Sequence, residues 1–293
     1  MNKYKKKIEA FPIVNTVLMV FLAFITLYPI WYTIVLAFND ASDAALGGIY
    51  WWPREFSLES FQKVFEEDVI IQAFTISVLR TVIGTVTAIL FTAMTAYAWS
   101  KKHLIGRNIY LALGTFTMFF NGGLIPGFIN LKNLGLLDTF WVYIIPTMFN
   151  FFNLIIFTSF FRSIPESLEE SAYIDGAHEG IIFTRIILPL SGPVLATISL
   201  FHGVWHWNDF FMGVIYVNNR DLEPIQTYLY RIITSGSVNT QMSATPAAVR
   251  SNAVNSTSLR LATMIVVTFP IVCVYPFLQK YFVQGMTVGS VKG

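Results

Sequence analysis

The chain has 293 residues, of which 55% are hydrophobic and only 12% charged, and it carries a formal net charge of +2. With a mean hydropathy of +0.59, it lies far from soluble domains, which average about 25% charged residues. That balance excludes an ordinary soluble enzyme and a nucleic-acid-binding module, and it indicates an integral membrane protein.

In chain order, the first element is the basic stretch Met1-Asn-Lys-Tyr-Lys-Lys-Lys followed by apolar sequence from Phe11 to Phe38. The flank suits a signal peptide, but the apolar stretch is too long for one, so it reads as a first membrane span behind a tail of residues 1–12. Six apolar runs pass the length test of about 20 residues per bilayer core: 13–38, 74–99, 109–130, 140–161, 192–217 and 261–282. The expected fold is therefore an all-α, six-helix transmembrane domain over 13–293. An even number of spans puts both termini on one side. If that side is the cytoplasm, Lys3, Lys5, Lys6, Lys7, Lys101, Lys102, Arg107, Arg162, Arg185, Lys280 and Lys292 lie inside, and seven basic residues lie outside. This excess follows the positive-inside rule.

The segments between runs carry the polar sequence. Outside, the 39–73 loop is acidic and contains Trp51-Trp52-Pro53, which reads as an interfacial anchor. Asn121-Gly-Gly-Leu-Ile-Pro126 is expected to break a helix within apolar surroundings, which is tolerated where protein or a water-filled cavity covers it. The last outer loop, 218–260, is long and rich in Ser, Thr, Asn and Ala. The lone cysteine, Cys273, sits in an apolar run and offers neither a disulfide nor a metal site.

The longest charged stretch between two apolar runs is Glu169 to Pro189, within an inside loop of 163–191. From Ile164 to Ala177 it reads as a short helix ended by Gly176. Pro165 suits a first turn, and Glu166, Glu169 and Glu170 complement the helix dipole. Ala172 and Gly176 are small and spaced by four, which lets another protein approach the backbone closely. Past Gly176, a second helical turn leads to Leu188-Pro189 and the fifth run.

These residues match a family pattern. Glu170-Ser171-Ala172, with Gly176, Ile186 and Leu188-Pro189 at their spacings, resembles the cytoplasmic E-A-A loop of bacterial ABC importer permeases; Ser171 replaces the usual second alanine. Asp175-Gly176-Ala177 is typical of the sugar-importing branch. The likeness continues through Trp207-Asn208-Asp209 and the C-terminal Gln279 to Gly285 and Val291 to Gly293. Phe119 to Pro126, Leu134 to Thr139 and the enlarged outer loop look most like the branch serving polysaccharide fragments, alginate and pectin among them.

The resemblance implies a type I importer permease fold in a bacterial inner membrane. It also implies as partners a second homologous permease, two cytoplasmic ATPases, an extracytoplasmic solute-binding protein, membrane lipid and an oligosaccharide substrate. The coupling residues it points to are Glu169, Glu170, Ser171, Ala172, Asp175, Gly176, Ala177, Ile186, Leu188 and Pro189. No cofactor is expected in this chain, since ATP and Mg bind the partner ATPases, and no Gly-x-x-x-x-Gly-Lys-Ser/Thr sequence occurs.

A second polar cluster, His202, Trp205, His206, Asn208 and Asp209, lies in the fifth run, and three readings compete for it: hydrogen bonding between helices, lining of a sugar pathway, and a metal site. The metal reading lacks the Glu of His-Glu-x-x-His. Arg80, in the second run, either snorkels to the interface or meets an acidic sugar. Asn121 joins it as a pathway candidate. The alternative class is an ion-coupled secondary transporter using Asp209; a membrane hydrolase has no nucleophile to pair with His202 and His206.

Overall fold

The computed structural model describes residues 10–66, 68–242, 257–274 and 276. The basic N-terminus, residues 243–256 of the last outer loop and the motifs Gln279 to Gly285 and Val291 to Gly293 lie outside the described residues. Among the described residues every regular element is a helix, apart from a bridge pairing Asn39 with Phe56. They fall into two bodies.

The first body is built on helix α1, Ala10–Ala37. Its 28 residues rise about 42 Å, enough to cross a bilayer, and from Phe11 to Phe21 the side chains are exposed. The helix ends in a polar knot. Asn39, 1% exposed, donates to Asp43 at 2.9 Å, and its side-chain oxygen accepts from the backbone of Arg54 (2.7 Å) and Glu55 (3.0 Å). Asp40 caps the short α2, Ala41–Ala44, and α3 follows at Glu59–Glu66. The knot turns the chain back along α1: Trp31 Nε1 donates to the carbonyl of Trp51, and the rings of Trp31 and Trp52 meet edge to face. Of the acidic residues in this loop, Asp43 is thus buried and bound to Arg54 rather than part of a solvated face.

The second body is organised on α4, Asp68–Ser100, which at 33 residues rises about 50 Å. After it come α5 (Arg107–Phe119), α6 (Leu124–Asn133) and, behind the tight turns Phe140–Tyr143 and Ile145–Thr147, α7 (Phe151–Phe161). Then follow α8 (Glu166–Ile174), α9 (Glu179–Leu190), α10 (Gly192–Asn208), α11 (Phe211–Tyr216) and α12 (Ile225–Met242). Helix α13 is Thr257–Val274; its residues up to Thr268, like those of α12 from Ile232 onward, belong to the first body. Helix α4 packs most extensively on α10 and then on α7. Lipid is as apolar as a leucine side chain, so close packing and polar contacts hold such helices together rather than burial from water. The sequence supplies both: Gly84, Ala88, Ala93 and Ala96 keep one face of α4 low, and Phe157, Phe161, Ile182, Ile187 and Ile198 fill against it from α7, α9 and α10.

Three helices, α1, α4 and α13, are singly long and apolar enough to span a membrane, and the count reaches six if each bent pair is one span. Up to six spans are thus available; the expected third, fourth and fifth runs are not continuous helices, and the sixth is described only to 274 and at 276. The third bends by 114° between α5 and α6, where Gly123 adopts φ +90° and the Asn121 side chain accepts its N–H at 2.9 Å. This is the break that Asn121-Gly-Gly foretold. The fourth bends by 51° before α7, which Asn150 caps by accepting from Asn153. The third bend, of 80°, falls between α9 and α10 at Ser191, whose hydroxyl turns back to the Ile187 carbonyl. The expected fifth run has its own interruption: α10 stops at Asn208, Asp209 is extended, and α11 begins at Phe211.

Candidate functional site

Two polar assemblies stand out in the second body. The first lies at the end of α4, where α8 and α9 meet it. Helix α8 starts behind Pro165 and ends where Gly176 takes φ +80°. There the Gly176 N–H bonds the Tyr173 carbonyl and the Ala177 N–H reaches the Ala172 carbonyl at 2.9 Å, a wrapped helix end of the kind glycine permits. His178 then caps α9 through the Gly180 N–H. A π turn over Phe183–Ile187 follows, and it turns Phe183 and Ile187 into the core under α4.

The residues named from the E-A-A pattern occupy this corner in distinct ways. Glu169 binds Lys101, the first residue past α4, and Ser171 bonds its own helix at Ser167. Ala172, Ala177, Ile186 and Leu188 pack on the edge of the core, whereas Glu170, Asp175, Gly176 and Pro189 are exposed. Exposed apolar groups surround the small residues: Leu168 at 42%, Tyr173 at 45% and Ile174 at 86%. The patch is therefore a helix with greasy, shallow relief, left exposed among the described residues.

Charge pairs hold that helix in place. Lys101 lies 3.4 Å from Glu179 as well as binding Glu169, and Lys102 reaches Glu166 at 2.5 Å. Glu179 also accepts from Tyr97 at 2.5 Å and from Tyr173. Burial works against the Lys101 ammonium, yet its contacts with Glu169 and Tyr97 together outweigh it and hold the lysine above its ordinary pKa. For Glu179, burial pushes upward, and the bonds from Tyr173 and Tyr97 win and lower it.

The second assembly joins the middle of α4 to the end of α10. Arg80 is fully buried and its guanidinium binds the Asp209 carboxylate, with a second bond of 2.9 Å to the Asp209 carbonyl. The Tyr143 ring lies 4.5 Å from the guanidinium carbon and the Trp205 ring 5.9 Å. A cation sunk in an apolar helix needs such a partner, because leaving it unpaired would cost several kcal/mol. Arg80 therefore does not snorkel. The extended backbone at Asp209 is what turns its carbonyl and carboxylate toward α4.

His202 and His206 lie one turn apart on α10, ring centroids 5.8 Å apart, both facing inward. The His206 ring is pressed onto Gly84 and meets Trp205 edge to face. Both His206 ring nitrogens lack a hydrogen-bond partner among the described residues, so the role the structure gives this histidine is packing. No group of three His, Cys, Asp or Glu side chains converges as a metal site would require, among the described residues. Trp205 is 44% exposed, and Asn208 is exposed and bonds back to the Val204 carbonyl. Asn121 stands apart at the α5–α6 break. The structure thus gathers Arg80, Trp205, His206 and Asp209, sets His202 a turn away, leaves Asn208 beside them at the surface and does not bring Asn121 to them.

Sequence reasoning missed Tyr143, Lys101 and Tyr97. Nothing in their spacing marks them, although a lysine at the foot of a span beside an acidic loop was a usable signal. A separate groove of about 520 Å³ runs between α4, α10 and the end of α13, past Thr81, Thr85, Ser199, Trp207 and Pro270. Its lining is almost wholly apolar, so it offers sugar hydroxyls little to bond.

Comparison with known proteins fits this geometry. Residues 9–288 match the family described as binding-protein-dependent transport system inner membrane component. Protein LplC of Bacillus subtilis is 42% identical over 270 residues, spanning 92% of this chain and 90% of its own. The polygalacturonan/rhamnogalacturonan transport system permease protein YtcP of the same organism is 40% identical over 276 residues, spanning 92% and 94%. Among solved structures, a bacterial ABC transporter involved in the import of the acidic polysaccharide alginate superposes with a TM-score of 0.86 at 30% identity, covering 96% of this chain and all of the matched one.

Proposed function

The chain belongs to the family of binding-protein-dependent transport system inner membrane components, and on that premise we propose that it is the permease subunit of an ATP-driven importer of oligosaccharides, with uronate-containing chains foremost. Members of this family are non-catalytic membrane subunits without a cofactor of their own; ATP binds partner ATPases, and a solute-binding protein delivers the cargo. In our reading the two ATPases serve a heterodimer of this chain with a second, homologous permease. Both termini and the 163–191 loop then face the cytoplasm, and 218–260 faces outward.

The observation that carries the reading is α8, a short helix ended by Gly176 at φ +80°, with Leu168, Tyr173 and Ile174 exposed around small residues. In an ATPase cleft this surface would be covered, and nucleotide-driven closure of the ATPases would push it, moving the spans as rigid bodies. Two relatives support the acidic cargo: the YtcP permease by its polygalacturonan and the matched structure by its alginate. For the pathway we favour Trp205 and Asn208, exposed beside the buried Arg80–Asp209 pair, over the two histidines behind them. An ion-coupled transporter would need Asp209 free to carry a proton, and its carboxylate is already bound to Arg80.

Reconstitution of the complete importer with its binding protein tests the reading. Gly176→Asp puts a side chain where the backbone is left-handed, at about 1–2 kcal/mol, and adds charge to the docking face. Uptake per ATP should collapse while the complex still assembles; normal uptake refutes the coupling assignment. Stimulation of ATP hydrolysis by oligogalacturonates or oligoalginates, compared with neutral oligosaccharides, tests the cargo.

A further inference from the structure

From the charge pairs at the foot of α4 we infer that Lys101 is a positioning residue: it staples both arms of the 163–191 loop to α4, so that a push on the loop is delivered to that helix. This rests on the coupling reading of the loop and adds the part that carries the motion onward.

The loop has a weak point of its own. Gly176 ends α8 with a left-handed residue, and along the backbone α8 and α9 are joined by the short turn around it. Two arms linked by such a turn would respond to a push by folding against each other. Lys101 prevents this geometrically, because its ammonium engages one carboxylate from each arm, Glu169 of α8 and Glu179 of α9. Glu179 is held to the same helix a second time by the Tyr97 hydroxyl at 2.5 Å, and the Tyr173 hydroxyl ties it back to α8. The ammonium also lies 4.2 Å from the Tyr97 ring. The five side chains, Lys101, Glu169, Glu179, Tyr97 and Tyr173, thus form a connected network spanning α4, α8 and α9.

Shielding separates this pair from its neighbour. The side chains of Lys101 and Glu169 are 25% and 18% exposed, against 73% and 59% for Lys102 and Glu166. An exposed pair contributes little, whereas a shielded pair with further hydrogen bonds keeps a fixed geometry. At its other end the linkage continues through α4 itself. Arg80 lies 21 residues before Lys101, about 30 Å along a straight helix, and it grips Asp209 at the interruption between α10 and α11. A displacement of the loop that carries α4 with it therefore reaches the fifth span at its break.

The test uses the complete reconstituted importer, with transport and ATP hydrolysis measured together. Lys101→Met should lower transport per ATP hydrolysed about tenfold, and Lys101→Arg should stay within about twofold of the wild type. The double variant Lys101→Met/Glu169→Gln should be no worse than the poorer single variant, because both remove one interaction. Wild-type coupling in Lys101→Met, equal damage from Lys101→Arg, or additive losses in the double variant would each overturn the proposal. If Lys101→Met is recovered poorly, Lys101→Gln carries the same expectation, since it keeps polarity and removes only the charge. Gly176→Asp in the same preparation separates the two levels. Should it remain coupled, the loop reading itself fails; should it uncouple while Lys101→Met does not, only the staple fails.

Discussion

Replacing Gly84 by alanine is a small change with a large expected effect, because the space a methyl group needs is already occupied. A Cβ built on Gly84 would lie 2.6 Å from Cε1 and 3.0 Å from Cδ2 of His206, both below ordinary contact. The imidazole cannot swing clear: it is 1% exposed and backed by the Trp205 ring at 5.0 Å. Helices α4 and α10 must then separate locally or the ring must leave its rotamer, and overpacking of this kind costs about 1–3 kcal/mol. Thermal unfolding of the purified complex in detergent should show a fall of several degrees for Gly84→Ala. His206→Ala provides the control. It leaves a gap, and the Gly84 methyl partly fills that gap in the double variant, so Gly84→Ala/His206→Ala should be at least as stable as His206→Ala alone. Unchanged stability in Gly84→Ala, or a double variant that loses the sum of the two, refutes the close approach of the helices.

Two further predictions concern charged groups. Arg80→Met should destabilise the complex by about 3–5 kcal/mol, since it leaves the Asp209 carboxylate unpaired, whereas Arg80→Met/Asp209→Leu removes both charges and should recover most of the loss; equal stability of the single and double variants, read from the same unfolding curves, contradicts the pairing. Asp138 accepts the backbone N–H groups of Asn218 and Asn219, which hold its carboxyl below the usual aspartate pKa. A depressed carboxylate pKa stabilises the fold above the unfolded value, near about 4, and that contribution is lost as pH falls through the folded pKa. The stability gap between wild type and Asp138→Asn should accordingly be widest near neutral pH and close in acid, and a gap independent of pH would argue against the assignment.

How much of this was legible in the sequence depended on the range over which the signal acts. The α5–α6 break could be read because its cause is local: Gly123 must take a positive φ and Asn121, two residues away, bonds it. The same holds for α8, whose proline start and glycine end lie within a dozen residues. The interruption at Asp209 was not legible, because its reason lies 129 residues away in Arg80. A run of apolar residues states that a segment suits a membrane, but it is silent on whether the helix continues through every polar residue it contains.

Arg80 shows how the gap could have been narrowed. An arginine inside an apolar run and an aspartate inside another, in a protein with few charges, present a matching problem: each is expensive alone, and pairing removes most of the cost. Taken singly, Arg80 suits the interface or an acidic sugar, and Asp209, within its cluster, suits hydrogen bonding between helices, a sugar pathway, a metal or a proton, with no partner named for either. Taken as a pair, they predict that the second and fifth spans touch, which is the principal helix contact of the second body. Lys101 and Glu169 submit to the same logic, 68 residues apart, since a lysine at the end of a span faces an acidic loop on the same side of the membrane. Two charge matches, one at Arg80 within α4 and one at Lys101 just past its end, would have located that helix as the member through which loop and span communicate.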